Sequence, residues 1–260
     1  MDTEVEAMPQ TKKRNIHFEW LPSILIKPRS TILTINKESK PLWLTPLLTL
    51  SILALLVVLV AAPIRRNTIQ MGLTTPPDFQ YYSAEQQTQF MNAQATQTSP
   101  IFLYVLPLLF GLASIWIAWF LLSSILHLVL TLSGSHATSQ KSFNLVSWTM
   151  LPLGVRTIVQ IIAMLITKST INGAGLSGLI GADAQGVLIY VAAILGLIDI
   201  YFLWQGVLLI IGVRDFSNLS RGKAWGATLI SLAIFLVIFA LPGFLKSILS
   251  HLTLTQYYFF

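Results

Sequence analysis

Long apolar runs alternate with polar segments along the whole chain, and five of the runs are long enough to cross a bilayer. A hydrocarbon core of about 30 Å needs roughly 20 helical residues. The runs are Leu42 to Ala62, Ile101 to Leu132, Leu145 to Ile166, Val187 to Val213 and Trp225 to Leu249. Each predicts a helix, because lipid offers the backbone no hydrogen-bond partner and a helix satisfies its own groups. Pro46, Pro107, Pro152 and Pro242 do not exclude this, since membrane helices tolerate proline. The second run exceeds one bilayer thickness; a tilt or a protruding last turn near His127 absorbs the excess.

The segments between the runs divide the chain further. Residues 1–41 form an N-terminal segment, 42–249 the five-helix membrane domain with a long loop at 64–100, and 250–260 a tail ending in four aromatics. Within the first segment, His17 to Ile35 mixes Phe18, Trp20, Ile24 and Ile32 with Lys27 and Arg29, and Pro28 splits it. Two readings fit. The first is one or two short amphipathic helices on the cytoplasmic membrane surface, with Trp20 at the interface and Lys27 and Arg29 facing anionic headgroups. The other is a helix packed under the bundle. The loop from Ile64 to Pro100 is rich in Gln, Thr and Pro and reads as unstructured. Such length points either to disorder or to a role, with Tyr81 and Tyr82 as anchors for a partner.

Charge sets the orientation. Lys12, Lys13, Arg14, Lys27, Arg29, Lys37 and Lys40 precede the first run, Lys141 follows the second, and Arg214, Arg221 and Lys223 follow the fourth. With five crossings these all share one side, leaving Arg65, Arg66, Lys168 and Lys246 on the other. The expected fold is therefore an all-α integral membrane bundle of five transmembrane helices, N-terminus cytoplasmic and C-terminus outside. The first 40 residues lack the apolar core of a signal peptide, so the first run is expected to act as an uncleaved anchor. Composition agrees: 54% of residues are hydrophobic and 10% are charged, where a soluble domain carries about 25% charge. The net charge of +6 follows from this topology and calls for no nucleic acid. Cysteine is absent, which removes disulfides, thiolate catalysis and Cys-bound metals.

Few residues carry candidate chemistry. Gly173 to Gly178 reads GAGLSG, with Asp199 further on. The spacing matches a dinucleotide fingerprint, yet that motif needs a strand before it and a soluble helix after it. A turn between the third and fourth helices is the better reading. The four histidines have no metal-ligand spacing, and no run carries an intramembrane protease motif. No catalytic residue, cofactor or metal site is expected. Arg156 and Asp199 are different, because each stands near the middle of an apolar run. A charge at the bilayer centre costs roughly 2.5–3.5 kcal/mol, so the two are expected to pair at mid-depth between consecutive helices. Gln160 lies one turn from Arg156, and Gln205 extends the polar patch. A fixed interhelical lock is favoured over a gate, because a transport path usually shows more polar positions.

Three stretches carry a family resemblance. Trp20-Leu21-Pro22-Ser23-Ile24-Leu25-Ile26-Lys27-Pro28-Arg29-Ser30-Thr31 is similar to the Lys-Pro-Arg segment before the first membrane helix of bacterial Yip domain proteins. Ser142-Phe143 with Pro152 resembles the start of that family's third helix. Ile200 to Gly212, with Ser220 and Lys223-Ala224 behind it, is the third stretch similar to that family. The family was first known for binding Ypt/Rab-type GTPases. The resemblance implies a five-helix bundle with no catalytic residue. It also implies a non-enzymatic accessory or scaffold subunit in the plasma membrane, the bacterial inner membrane in this case. The partners it implies, besides the lipid bilayer, are the permease, ATPase and adaptor of an ABC-type exporter acting in toxin or antimicrobial-peptide resistance. The alternatives are a small stand-alone transporter or channel, or a membrane-trafficking factor.

Overall fold

The computed structural model describes residues 16–38, 40–72, 79–171, 173, 175–181 and 185–245. The aromatic tail at 250–260 lies outside the described residues. All regular structure among them is helical. Two short helices, α1 (Trp20–Ile26) and α2 (Pro28–Lys37), precede the long α3 (Leu44–Gly72). A helix α4 (Ala84–Gln97) follows, then a π-helical turn at Ile101–Val105 that runs into α5 (Leu106–Leu132). Next come α6 (Ser139–Thr149), α7 (Leu151–Thr167), α8 (Val187–Gly196), α9 (Ile200–Phe216) and α10 (Arg221–Phe239).

Four spans are long and apolar enough to cross a membrane: Leu44–Gln70, Ile101–Leu132, Ser139–Thr167 and Arg221–Leu245. Helices α8 and α9 pass the same test only together, as one span bent by 70° at the break between them. The predicted single helix over Val187 to Val213 is therefore two. The first span also differs from expectation. It passes Pro63 without ending, and its 27 residues measure about 40 Å. The last turns, with Arg65 and Arg66, reach beyond a hydrocarbon core of about 30 Å. The loop expected over 64–100 is thus mostly helical, taking in the end of α3 and all of α4. Its Gln87 amide donates to the carbonyls of Phe79 and Tyr82 at 3.1 and 3.2 Å, and Phe79 packs on Tyr82 and Phe90.

The core explains the N-terminal segment. Ile24, Ile32 and Ile35 are fully buried, in one cluster with Leu47, Leu126, Leu145, Trp148 and Leu209. Of the two readings of His17 to Ile35, packing under the bundle is the observed one: α2 lies against α6 and α9. Trp20 tilts against Trp148 with ring centroids 5.7 Å apart and stacks on His17 at 4.1 Å, while Lys27 and Arg29 remain exposed. Asn144 holds the link into α3 from both sides. Its Nδ2 donates to the Lys40 carbonyl and its Oδ1 accepts from the Leu42 amide, each at 2.8 Å. Close helix packing needs one glycine in particular. A Cβ at Gly212 would overlap the Leu145 side chain, so α9 and α6 touch there nearly backbone to side chain. The outward faces of α3, α5 and α10 carry exposed Leu59, Phe110, Phe120, Leu128 and Ile230. A continuous apolar belt of this kind matches lipid rather than water.

Candidate functional site

Helix α8 stops at Gly196 and α9 starts after Asp199. Glycine is a weak helix former and aspartate favours the cap over the interior, so this spacing predisposes the chain to break. Asp199 is the N-cap of α9: its Oδ1 accepts from the Phe202 amide at 2.8 Å. Breaking a helix inside a bilayer frees carbonyls that lipid cannot satisfy. The GAGLSG turn supplies the missing donor. Gly175 takes φ +51°, which lets the chain come close enough for the Leu176 amide to donate to the carbonyls of Leu195 and Ile198 at 2.9 and 3.0 Å. A Cβ on Gly175 would sit 2.6 Å from the Gly196 oxygen, so no side chain fits. The motif serves the broken helix through its backbone.

Arg156 Nη1 donates to Asp199 Oδ2 at 2.9 Å. The carboxylate thus does two jobs, capping α9 with one oxygen and holding α7 with the other. The two residues meet across α7 and α9, as their positions in consecutive apolar runs led one to expect. Fifteen residues separate Asp199 from Arg214 along α9, about 22 Å of helix axis. The side chains of Arg156 and Asp199 are 37% and 19% exposed, so both border open space. Arg156 lines two cavities. The central one, about 210 Å³, lies among α3, α5, α7, α9 and α10 and is walled by Ser114, Thr157, Phe202, Gln205 and Phe235. The other, about 310 Å³, lies toward the end of the bundle opposite α1 and α2 and is walled by Arg65, Gln160, Met164, Thr170 and Gly173. The four polar residues singled out in the sequence therefore divide: Gln205 is buried beside the central cavity, Gln160 faces the far recess, and Arg156 with Asp199 stands between.

Sequence reasoning missed Arg65 and Thr170 as walls of the recess, and missed the capping role of Asp199. The cap had a signal, a glycine three positions before an aspartate inside an apolar run. Arg65 had none, because its approach to Gln160 depends on how α3 and α7 cross. The far recess has mainly polar walls and room for water, whereas the central cavity is mainly apolar, with Arg156, Gln205, Thr157 and Ser114 as its polar groups. Among the described residues there is no cluster of metal-binding side chains.

The Yip1 domain model matches residues 23–242. The chain belongs to the Yip1 domain family. The match starts within α1 and ends just past α10, so the Yip1 domain contains the broken helix, the returning glycine turn and the Arg156–Asp199 pair. It is a membrane family, and this member is a multi-pass helical protein. No curated protein and no solved structure matches the chain.

Proposed function

We propose that this Yip1 member is a non-enzymatic accessory subunit that docks on a larger membrane complex, with an ABC-type exporter and its adaptor as the partners. The observation that carries this reading is α4. No described residue of that helix is buried, and its main contact with the bundle is the π-helical turn before α5. It presents Gln, Asn and Thr with exposed Met91, beside an exposed Tyr81. A helix that does not support its own fold is free to support another. The partner reading itself rests on the resemblance to bacterial Yip domain proteins, whose Lys-Pro-Arg segment corresponds to Lys27 to Arg29 here. ATP-driven work by this chain calls for a partner, since no nucleotide-binding motif in a fitting context occurs in it.

Affinity purification from native membranes tests this. Wild type should bring down an ATPase and an adaptor, and the Tyr81→Ala/Met91→Ala variant should lose them while inserting normally. Equal recovery with the variant would remove α4 from the interface. A second reading, a stand-alone conduit, draws on Arg156 standing between two cavities. Solute flux into liposomes holding the pure protein, reduced by Gln205→Leu, would favour it.

A further inference from the structure

At the end of the bundle that carries α1 and α2, a cleft of about 300 Å³ opens between α2 and α9. Its polar walls are Arg29, Arg214 and Asp215, and its apolar walls are Ile32, Leu33 and Ile211. Arg29 and Arg214 come from helices far apart in sequence and enter the same space. Neither forms an ion pair with a described residue. The acid beside them is engaged elsewhere: Asp215 Oδ2 accepts from the buried Asn36 amide at 2.9 Å. Two guanidinium groups without an ion-pair partner among the described residues, beside the apolar Ile32, Leu33 and Ile211, match one ligand chemistry. A phosphodiester takes charged, forked hydrogen bonds from arginine, and an acyl chain takes the Ile32, Leu33 and Ile211 side. Basic pockets between helices at the membrane surface hold acidic headgroups in this way.

We propose that this cleft is a specific site for one acidic glycerophospholipid, with its phosphate between Arg29 and Arg214 and its glycerol and chain against Ile32 and Ile211. The proposal differs from diffuse attraction of a basic segment to a charged surface. Lys27 separates the two, because it lines a neighbouring groove with Ser30 and Thr34 and not this cleft. A bound lipid would tie α2 to α9 and seat the N-terminal helices against the bundle.

The test uses the full chain in dodecyl maltoside, delipidated and then titrated with phosphatidylglycerol or phosphatidylcholine, with bound lipid counted by native mass spectrometry. Wild type should retain one phosphatidylglycerol in preference to phosphatidylcholine. Arg29→Gln and Arg214→Gln should each weaken that binding about fivefold, the effect of one cation at a headgroup, with melting in pure detergent unchanged because both residues are exposed. Lys27→Gln, the same change of charge, should leave it intact. Asp215→Asn should bind as well or tighter, since a negative charge leaves the cleft while the amide oxygen still accepts from Asn36. An equal loss in Lys27→Gln would overturn the site in favour of diffuse electrostatics. Displacement of the lipid by inorganic phosphate at equal concentration would overturn the lipid assignment, and weaker binding in Asp215→Asn would point to a zwitterionic headgroup and overturn the acidic one.

Discussion

At the scale of single residues, Asp199 stands out because it couples two interactions through one carboxylate. Its Oδ1 caps α9 and its Oδ2 holds Arg156. Asn can preserve the first and not the charge pairing, whereas Ala loses both. The pair is partly exposed, with Arg156 bordering the polar recess, so its energy should resemble that of an exposed pair more than a sealed one, about 1 kcal/mol. Arg156→Gln and Asp199→Asn should each lower detergent stability modestly. The double variant should lose less than the sum, because two neutral amides can still bond across the helices. Asp199→Ala should cost about 1 kcal/mol more than Asp199→Asn, the size of a lost cap. A thermal double-mutant cycle reads the coupling. Additive losses would mean that the two side chains do not meet in the membrane.

At the scale of elements, the break between α8 and α9 depends on the turn that returns to it. The Leu176 amide reaches the Leu195 and Ile198 carbonyls only because Gly175 adopts a left-handed conformation against the Gly196 oxygen. Adding a methyl there requires the turn to withdraw, which takes the Leu176 amide from the Ile198 carbonyl and leaves the Leu195 carbonyl with the Ile198 amide alone. Gly178 belongs to the same glycine pattern, yet a Cβ on it meets nothing within 4 Å. Gly175→Ala should therefore destabilise the fold by roughly 2 kcal/mol or more, one strained backbone site plus lost hydrogen bonds. Gly178→Ala should be close to neutral. Melting temperatures of the two purified variants settle the comparison, and equal effects would mean that the turn does not brace the broken helix.

At the scale of the molecule, the membrane belt and the polar ends define how the chain sits. The end with α1 and α2 also carries Lys141, Arg214, Arg221 and Lys223, while the end with α4 carries Arg65, Arg66 and Lys168. The positive-inside rule predicts that the richer end is cytoplasmic. In intact cells, cysteines placed at Ser83 and Thr96 should react with an impermeant thiol reagent. Cysteines at Ser139 and Asn218 should react only after permeabilisation. Labelling of Asn218 from outside would reverse the orientation. The bent α8–α9 pair makes this a sharp test, because counting it as a non-crossing element would move α10 and everything after it to the other side.

Hydropathy alone determined that this chain is a helical membrane protein with four to five segments able to cross, and charge scarcity alone singled out Arg156 and Asp199. Both signals are sums over neighbouring residues, so they survive without knowledge of the fold. Tertiary structure decided the rest. Whether the run around Asp199 continues or breaks turns on a donor at Leu176, some twenty residues earlier in the chain and on a different segment. Whether α2 floats on lipid or packs beneath the bundle turns on the fit of Ile24, Ile32 and Ile35 against Leu145 and Leu209. The cleft of Arg29 and Arg214 exists only because α2 and α9 meet. Amphipathic patterning shows which face of a helix is apolar. It does not say whether lipid or protein covers that face, since the two are nearly equal in hydrophobic terms and close packing makes the choice.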